Sequence, residues 1–359
     1  MIRLSLLQFR IQAITAAVAL AAFAVLLAAT GPHLAGMYAA DGLDSCHGSS
    51  CLSAASYFTG SLTRSPYEVL FLLSTGLILL APAVIGLFWG APLIARELEA
   101  GTAALAWNQS ITRTRWLAVK LAVGGLTAMA ITEALSLMQT WWAAPISQAV
   151  TDGSGIGVAQ SRFSQLNFPT HGITPLGYAA FAFALGVTAG ALIRRTIPAM
   201  AVTLAIFTAL QVATPLWIRP NLAPPDHTVI PVSQASGPSQ TGPGGDKFTL
   251  YALTIPGQPG AWLLSSGPIN AAGQATNITP AACESVGTGP GAGPQGNAFG
   301  PGQGPAAFVA CLASHGIREA ISYQPASRYW RFQLAETAIY LALALALAGY
   351  CFRRLSRLS

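Results

Sequence analysis

The sequence predicts an all-α polytopic membrane protein with six transmembrane helices and a small external α/β-type insertion rich in Gly/Pro loops. Three observations predict it. Of 359 residues, 53% are hydrophobic and only 8% are charged, whereas a soluble domain carries about 25% charged residues to cover its water-facing surface. Six apolar runs are long enough to cross a hydrocarbon core of about 30 Å, which takes roughly 20 residues in a helix. Thirty-two of the 60 Gly and Pro residues fall in one stretch, 219–329. These facts exclude an ordinary cytosolic enzyme. They also exclude a disordered chain, which needs low hydrophobicity and high net charge, and a collagen, which needs a G-X-Y period.

The six runs are Ile11–Thr30, Val69–Ile94, Trp116–Ile146, Ile173–Ile193, Ile197–Ile218 and Trp330–Phe352. The first follows Arg3 and Arg10 as a signal peptide would, but at 20 residues it exceeds the usual apolar core of about 7–15, so it is read as a retained span. Lys and Arg set the orientation. With the N-terminus in the cytoplasm, eleven of the 18 basic residues lie inside in short loops and tails: Arg3, Arg10, Arg96, Arg113, Arg115, Lys120, Arg194, Arg195, Arg353, Arg354 and Arg357. The net charge of +6 is then an orientation signal, and nucleic acid is not an expected partner. The expectation is a multi-pass protein of a bacterial plasma membrane with both termini cytoplasmic. Its domains are 1–218 (spans one to five), 219–329 (an extracellular domain) and 330–359 (the sixth span and tail). Within the insertion, Lys247–Ile255 and Ala261–Ser265 are β-prone, and Gly287–Pro305 is low-complexity.

Four of five cysteines are external in this topology: Cys46, Cys51, Cys283 and Cys311. An even external count favours disulfides. Four cysteines allow three connectivities, of which proximity favours Cys46–Cys51 and Cys283–Cys311. All five histidines are external too, but none stands in CxxC, HxxxH or HExxH spacing, so no metal site is expected. The glycines at 237 and 242 have P-loop spacing but lead into Pro243 and Gly244, so the chain carries no ATP site. No catalytic constellation is expected, and no cofactor in this chain.

The longest inner loop, Arg96–Lys120, reads as a helix leaving the membrane, a turn at Gly101, a short helix capped by Thr102, and a second cap at Ser110 or Thr112 before the third span. Arg96-Glu97-Leu98-Glu99-Ala100-Gly101-Thr102, followed by Ser110-Ile111-Thr112-Arg113 and Trp116 to Lys120, resembles the ABC-2 type transporter permeases. Those proteins carry an E-x-E-x-G-T-like element after their second span. The six-span plan and the short Arg194-Arg195-Thr196 link also match. The stretch Tyr323 to Trp330 is similar to actinobacterial members, and the large insertion between spans five and six departs from the compact pattern. The resemblance implies that loop 96–115 forms a coupling helix seated on a nucleotide-binding ATPase subunit, with Arg96, Glu97, Glu99, Gly101 and Thr102 in the coupling element. It implies that Met1–Arg10 is an interfacial helix, with Arg3 and Arg10 at the lipid headgroups. It further implies that ATP and Mg are bound by the partner, and that a second permease copy or paralogue completes the pathway in the lipid bilayer.

Two acids lie inside spans, Glu133 in the third and Glu336 in the sixth. A carboxylate at the bilayer centre costs about 2.5–3.5 kcal/mol on insertion scales, so such groups face protein or water. They are candidates for the translocation pathway, the alternative being an interhelical hydrogen bond. The function expected is export of an amphiphilic or hydrophobic molecule by a permease subunit. The alternative is a membrane-anchored receptor or scaffold acting through its external domain.

Overall fold

The computed structural model describes residues 2–46, 50–100, 113–152, 161–234, 236–241, 247–251, 255, 258–287 and 305–356. Gly101, Thr102 and most of the low-complexity segment lie outside the described residues. The chain divides into two compact units, Met1–Leu222 with Tyr329–Ser359, and Ala223–Arg328.

The first unit is helical. Helix α1 spans Ile2–Ala40, so residues 2–10, expected as an interfacial helix, run directly into the first span. Helix α2 spans Ser50–Thr63, and a disulfide joins Cys51 in its first turn to Cys46. Helix α3 (Pro66–Ile85) starts at Ser65, whose side chain accepts from the Tyr67 N–H, with Pro66 in the first turn where a missing N–H costs nothing. It passes through a π-helical turn at Gly86–Gly90 into α4 (Ala91–Glu99). Pro92 stands just past that turn; a proline cannot donate to, and crowds, the carbonyl one turn back, and a widened turn relieves both. Helix α5 is Arg113–Trp142, α6 is Ala144–Asp152, α7 is Thr174–Ile193, and α8 is Thr196–Ala213, extended through a second π turn at Thr214–Ile218 that contains Pro215. Helix α11 (Tyr329–Ser356) closes the chain.

Among the described residues, six helical segments have the length and apolarity to cross a membrane: Ala13–Ala40, Pro66–Glu99, Thr114–Trp142, Thr174–Ile193, Thr196–Asn221 and Ala326–Arg354. Helix α7 is the central one, with 83% of its most apolar stretch buried against 11–44% for the other five. Small residues let it in. A Cβ on Gly86 would sit 2.7 Å from the Ala182 carbonyl oxygen, and one on Gly90 equally close to that of Phe183. Gly186 and Gly190 press in turn on the Gly86 and Ala91 carbonyl oxygens. Backbones approach this closely in membrane bundles because no side chain intervenes. Helix α7 ends at Arg194, which adopts left-handed backbone (φ 57°) and returns its N–H to Gly190 O, and α8 begins two residues later. On the other side of the bundle the Trp142 indole donates to Thr30 Oγ1 at 2.9 Å, tying α5 to α1.

Among its described residues the second unit holds five strands: β1 (Asp226–Pro231), β2 (Ser236–Thr241), β3 (Lys247–Tyr251), β4 (Trp262–Ile269) and β5 (Arg318–Gln324). The order β1-β5-β4 is antiparallel throughout, and β2 pairs with β3 as a separate ribbon. Of the two β-prone runs, the first forms a strand up to Tyr251 and the second extends to Ile269. Helices α9 (Ala281–Gly287) and α10 (Pro305–Ser314) are linked by the Cys283–Cys311 disulfide. The buried sulfur of Cys283 belongs to a core of Val232, Phe248, Phe308, Leu312 and Ile317. The two ends of this unit are stitched together. Gln324 Nε2 donates to Ala223 O at 2.8 Å, Arg328 Nη1 to Pro224 O at 2.8 Å, and Arg328 Nη2 to Asp226 Oδ1 at 2.8 Å.

Candidate functional site

Of the predicted coupling element, Arg96, Glu97 and Glu99 are among the described residues, at the C-terminal end of α4. Glu97 and Glu99 stand on the last turn of α4, so they project from the point where the second span gives way to the loop. Glu97 is ion-paired with Lys120, whose side chain is only 2% exposed and also lies over the Trp116 ring, 4.4 Å from its centroid. Glu99 Oε2 accepts from the Thr196 hydroxyl at 2.8 Å and from the Thr196 N–H at 3.3 Å, satisfying a donor at the start of α8. The two acids thus fasten the loop's entry to the starts of α5 and α8. Arg96 is exposed.

A second polar cluster joins α7, α8 and α11. Glu336, fully buried, accepts from Arg219 Nε at 2.9 Å and Nη2 at 3.1 Å, and from the Tyr178 hydroxyl. Arg219 is 1% exposed and its guanidinium sits 3.9 Å from the centroid of the Phe168 ring. The Tyr178 ring meets Tyr340 edge to face at 4.7 Å, and the Tyr340 hydroxyl pairs with Thr214 Oγ1 at 2.7 Å. One turn before Glu336, the buried Gln333 caps α7 from the side. Its Oε1 accepts from the N–H groups of Ile173 (3.0 Å) and Thr174 (3.1 Å), and its Nε2 donates to Phe168 O and His171 O. Gly172 makes room with a positive φ of 73°, since a Cβ there would lie 2.8 Å from Gln333 Oε1.

The sequence marks Glu336 and misses its partners. The sequence places Arg219 at the first position of the external segment, 219–329. Instead, the turn at Arg219–Asn221 continues α8 and carries the guanidinium into the bundle, where the buried carboxylate needs it. Tyr178 gives no sequence signal, because a tyrosine among alanines in an apolar run reads as core. Glu133 takes no part in this cluster. It is half-buried on α5, with Oε2 enclosed and lacking a hydrogen-bond partner.

A cavity of about 360 Å³ opens between α3 and α8. Its walls include Leu79, Leu80, Ala83, Leu204 and Phe207, and Tyr178, Gln211 and Arg219 contribute polar groups. Two of these are unsatisfied donors: Arg219 Nη1 and Gln211 Nε2 are enclosed and have no hydrogen-bond partner.

His171 lies in the link before α7, and its Nδ1 is 2.9 Å from Asn167 O. Burial pushes its imidazole below the ordinary value of 6.5, with the Arg162 charge adding to the effect against a backbone hydrogen bond that opposes it. In the second unit, Cys283, Cys311 and His315 have ligand atoms within 4.8 Å of one another. The sulfurs are spent on a disulfide, and it is thiolates that bind metals.

Comparison with curated proteins and with solved structures gives no match. The family described as ABC-2 membrane transporter related matches residues 17–219. That is more than half of the chain, running from the first span through the Arg219 that pairs with Glu336. The chain is therefore a multi-pass membrane protein of the ABC-2 membrane transporter related family.

Proposed function

We propose that the chain is the permease subunit of an ATP-binding-cassette exporter that moves an amphiphilic or hydrophobic molecule by alternating access. The observation that carries this reading is the family match over residues 17–219, which covers five of the six membrane-crossing helices. ATP and Mg are bound and used by a separate nucleotide-binding subunit, and a second permease, identical or paralogous, completes the pathway. The protein resides in a bacterial plasma membrane with both termini in the cytoplasm. The loop after α4 meets the ATPase subunit. Glu97 and Glu99 brace that loop against α5 and α8, so force arriving from the partner reaches three spans at once, while the exposed Arg96 is free to touch the partner.

Co-expression with a candidate nucleotide-binding ATPase subunit is the direct test. A stable complex is expected, with ATP hydrolysis that rises when permease and ATPase are joined in a bilayer. Glu97→Gln releases Lys120 and is expected to lower that rise severalfold while leaving membrane insertion intact; equal stimulation by wild type and variant rules out the coupling role. A partner that binds only through residues 223–328, with no ATPase in the complex, supports the scaffold reading instead. The compact core of that unit is the observation that keeps this alternative in view.

A further inference from the structure

We infer that the cavity between α3 and α8 binds an uncharged amphiphile: an apolar body along Leu79, Leu80, Ala83 and Leu204, with a neutral oxygen acceptor at Arg219 Nη1 and Gln211 Nε2. Buried donors without partners are uncommon, because an enclosed N–H that gives up water and finds nothing in return is costly. Here two such donors stand at one cavity of about 360 Å³. One belongs to a guanidinium that is 1% exposed. The rest of the wall is mostly hydrocarbon, with Gln165, Thr208 and a Tyr178 hydroxyl already donated to Glu336 as its other polar groups, and Leu80 and Leu204 of the lining are exposed. An oxygen-bearing head attached to an apolar chain satisfies both parts of the lining.

The head's charge follows from what Arg219 already does. Its Nε and Nη2 are held by the Glu336 carboxylate, so the pair sums to zero. An anionic head would add a charge the cavity does not balance, and burying an unpaired charge is expensive. A cationic head would face the guanidinium. A carbonyl, ester or hydroxyl oxygen accepts from the spare N–H groups without changing the local charge. The inference deepens the permease reading and rests on it in one respect, that the cavity lies on the route of the transported molecule.

The test uses the full chain in lipid nanodiscs and a monoacylglycerol carrying a diazirine in its acyl chain, photolysed and mapped by peptide mass spectrometry. Saturable labelling of 79–83 and 204–216 is expected, displaced by unlabelled monoacylglycerol and poorly by the matching fatty acid or alkylamine at a pH where each is charged. Thr208→Trp, which fills the cavity from an exposed wall position, is expected to abolish it. Gln211→Leu, which removes one donor and leaves the ion pair alone, is expected to weaken apparent affinity roughly three- to tenfold. Equal displacement by the fatty acid overturns the charge argument, and labelling that fails to saturate or survives Thr208→Trp overturns the site. Adding the ATPase partner and ATP separates two sources of the same chemistry. A transported molecule leaves the cavity on hydrolysis and a resident bilayer lipid does not, and either result upholds the binding site. If no ATPase binds but the labelling stands, it is the permease reading that fails; if a coupled ATPase assembles and labelling is absent, the cavity inference fails.

Discussion

Glu336 shows how one side chain in hydrocarbon dictates its neighbours. Its carboxylate is enclosed by Arg219, Tyr178 and the aromatic rings around them. Removing one member of a buried pair strands the other charge, at a cost of about 3–5 kcal/mol, whereas replacing both by apolar groups of similar volume is often tolerated. Arg219→Met and Glu336→Leu are therefore each expected to lower folded yield and melting temperature sharply in detergent, and the double variant to recover most of the loss; a double variant worse than both singles would show that the pair is not the reason the singles fail. His171 gives a prediction in pH. Its imidazole titrates below 6.5 when folded because burial disfavours the cation, so above 6.5 folded and unfolded chains are both neutral there and the site costs nothing. As pH falls below 6.5 the unfolded chain takes up the proton first, and stability is lost until the depressed folded value is reached. Melting temperature measured from pH 7.5 to 5.5 is expected to fall less steeply for His171→Gln than for wild type. Of these residues, only Glu336 was legible in the sequence, since an acid in an apolar run is conspicuous. Arg219 beside Pro220 looks like the end of a span, and what distinguishes it is a carboxylate over a hundred residues away.

At the scale of elements, two short patterns carry close backbone-to-backbone packing in the bundle. Gly86-Leu87-Phe88-Trp89-Gly90 and Gly186-Val187-Thr188-Ala189-Gly190 both have GxxxG spacing, and in the structure they face one another through bare backbone. Gly186→Leu is expected to force α4 and α7 apart, overpacking being worth about 1–3 kcal/mol or more, and to be read as a lower melting temperature. Gly349→Ala, where an added Cβ meets nothing within 4 Å, is the control expected to be neutral or slightly stabilising. The six apolar runs were readable because length and hydropathy alone decide whether a helix can cross a bilayer. Their ends were less so. The first helix continues to Ala40 rather than stopping near Thr30, and the third ends at Trp142, ahead of the separate helix Ala144–Asp152. Polar and small residues past an apolar run say little about where hydrogen bonding of the backbone stops. The pairing of one glycine pattern with the other was not readable either, because it is a contact across nearly a hundred residues.

At the scale of the molecule, the chain is one membrane scaffold with a single long excursion. The excursion's ends, Ala223 to Asp226 and Gln324 to Arg328, are held together by its own hydrogen bonds. Replacing residues 225–327 with a short Gly/Ser linker is therefore expected to leave the six helices folded, checked by helical circular dichroism and monodispersity in detergent; a chain that aggregates would show that the unit is needed for assembly. Its location was legible as a concentration of Gly and Pro, but its strand order was not, since β1 pairs with β5 from the far end of the segment. One consequence of the Arg219–Glu336 pair concerns electricity rather than packing. A membrane potential does about 2.3 kcal/mol of work on each elementary charge moved through 100 mV. A cation and an anion locked in one salt bridge carry no net charge through that field, however far the helices that hold them travel. Polarising the membrane gives this part of the bundle no push in either direction, so the force that rearranges it has to arrive by another road.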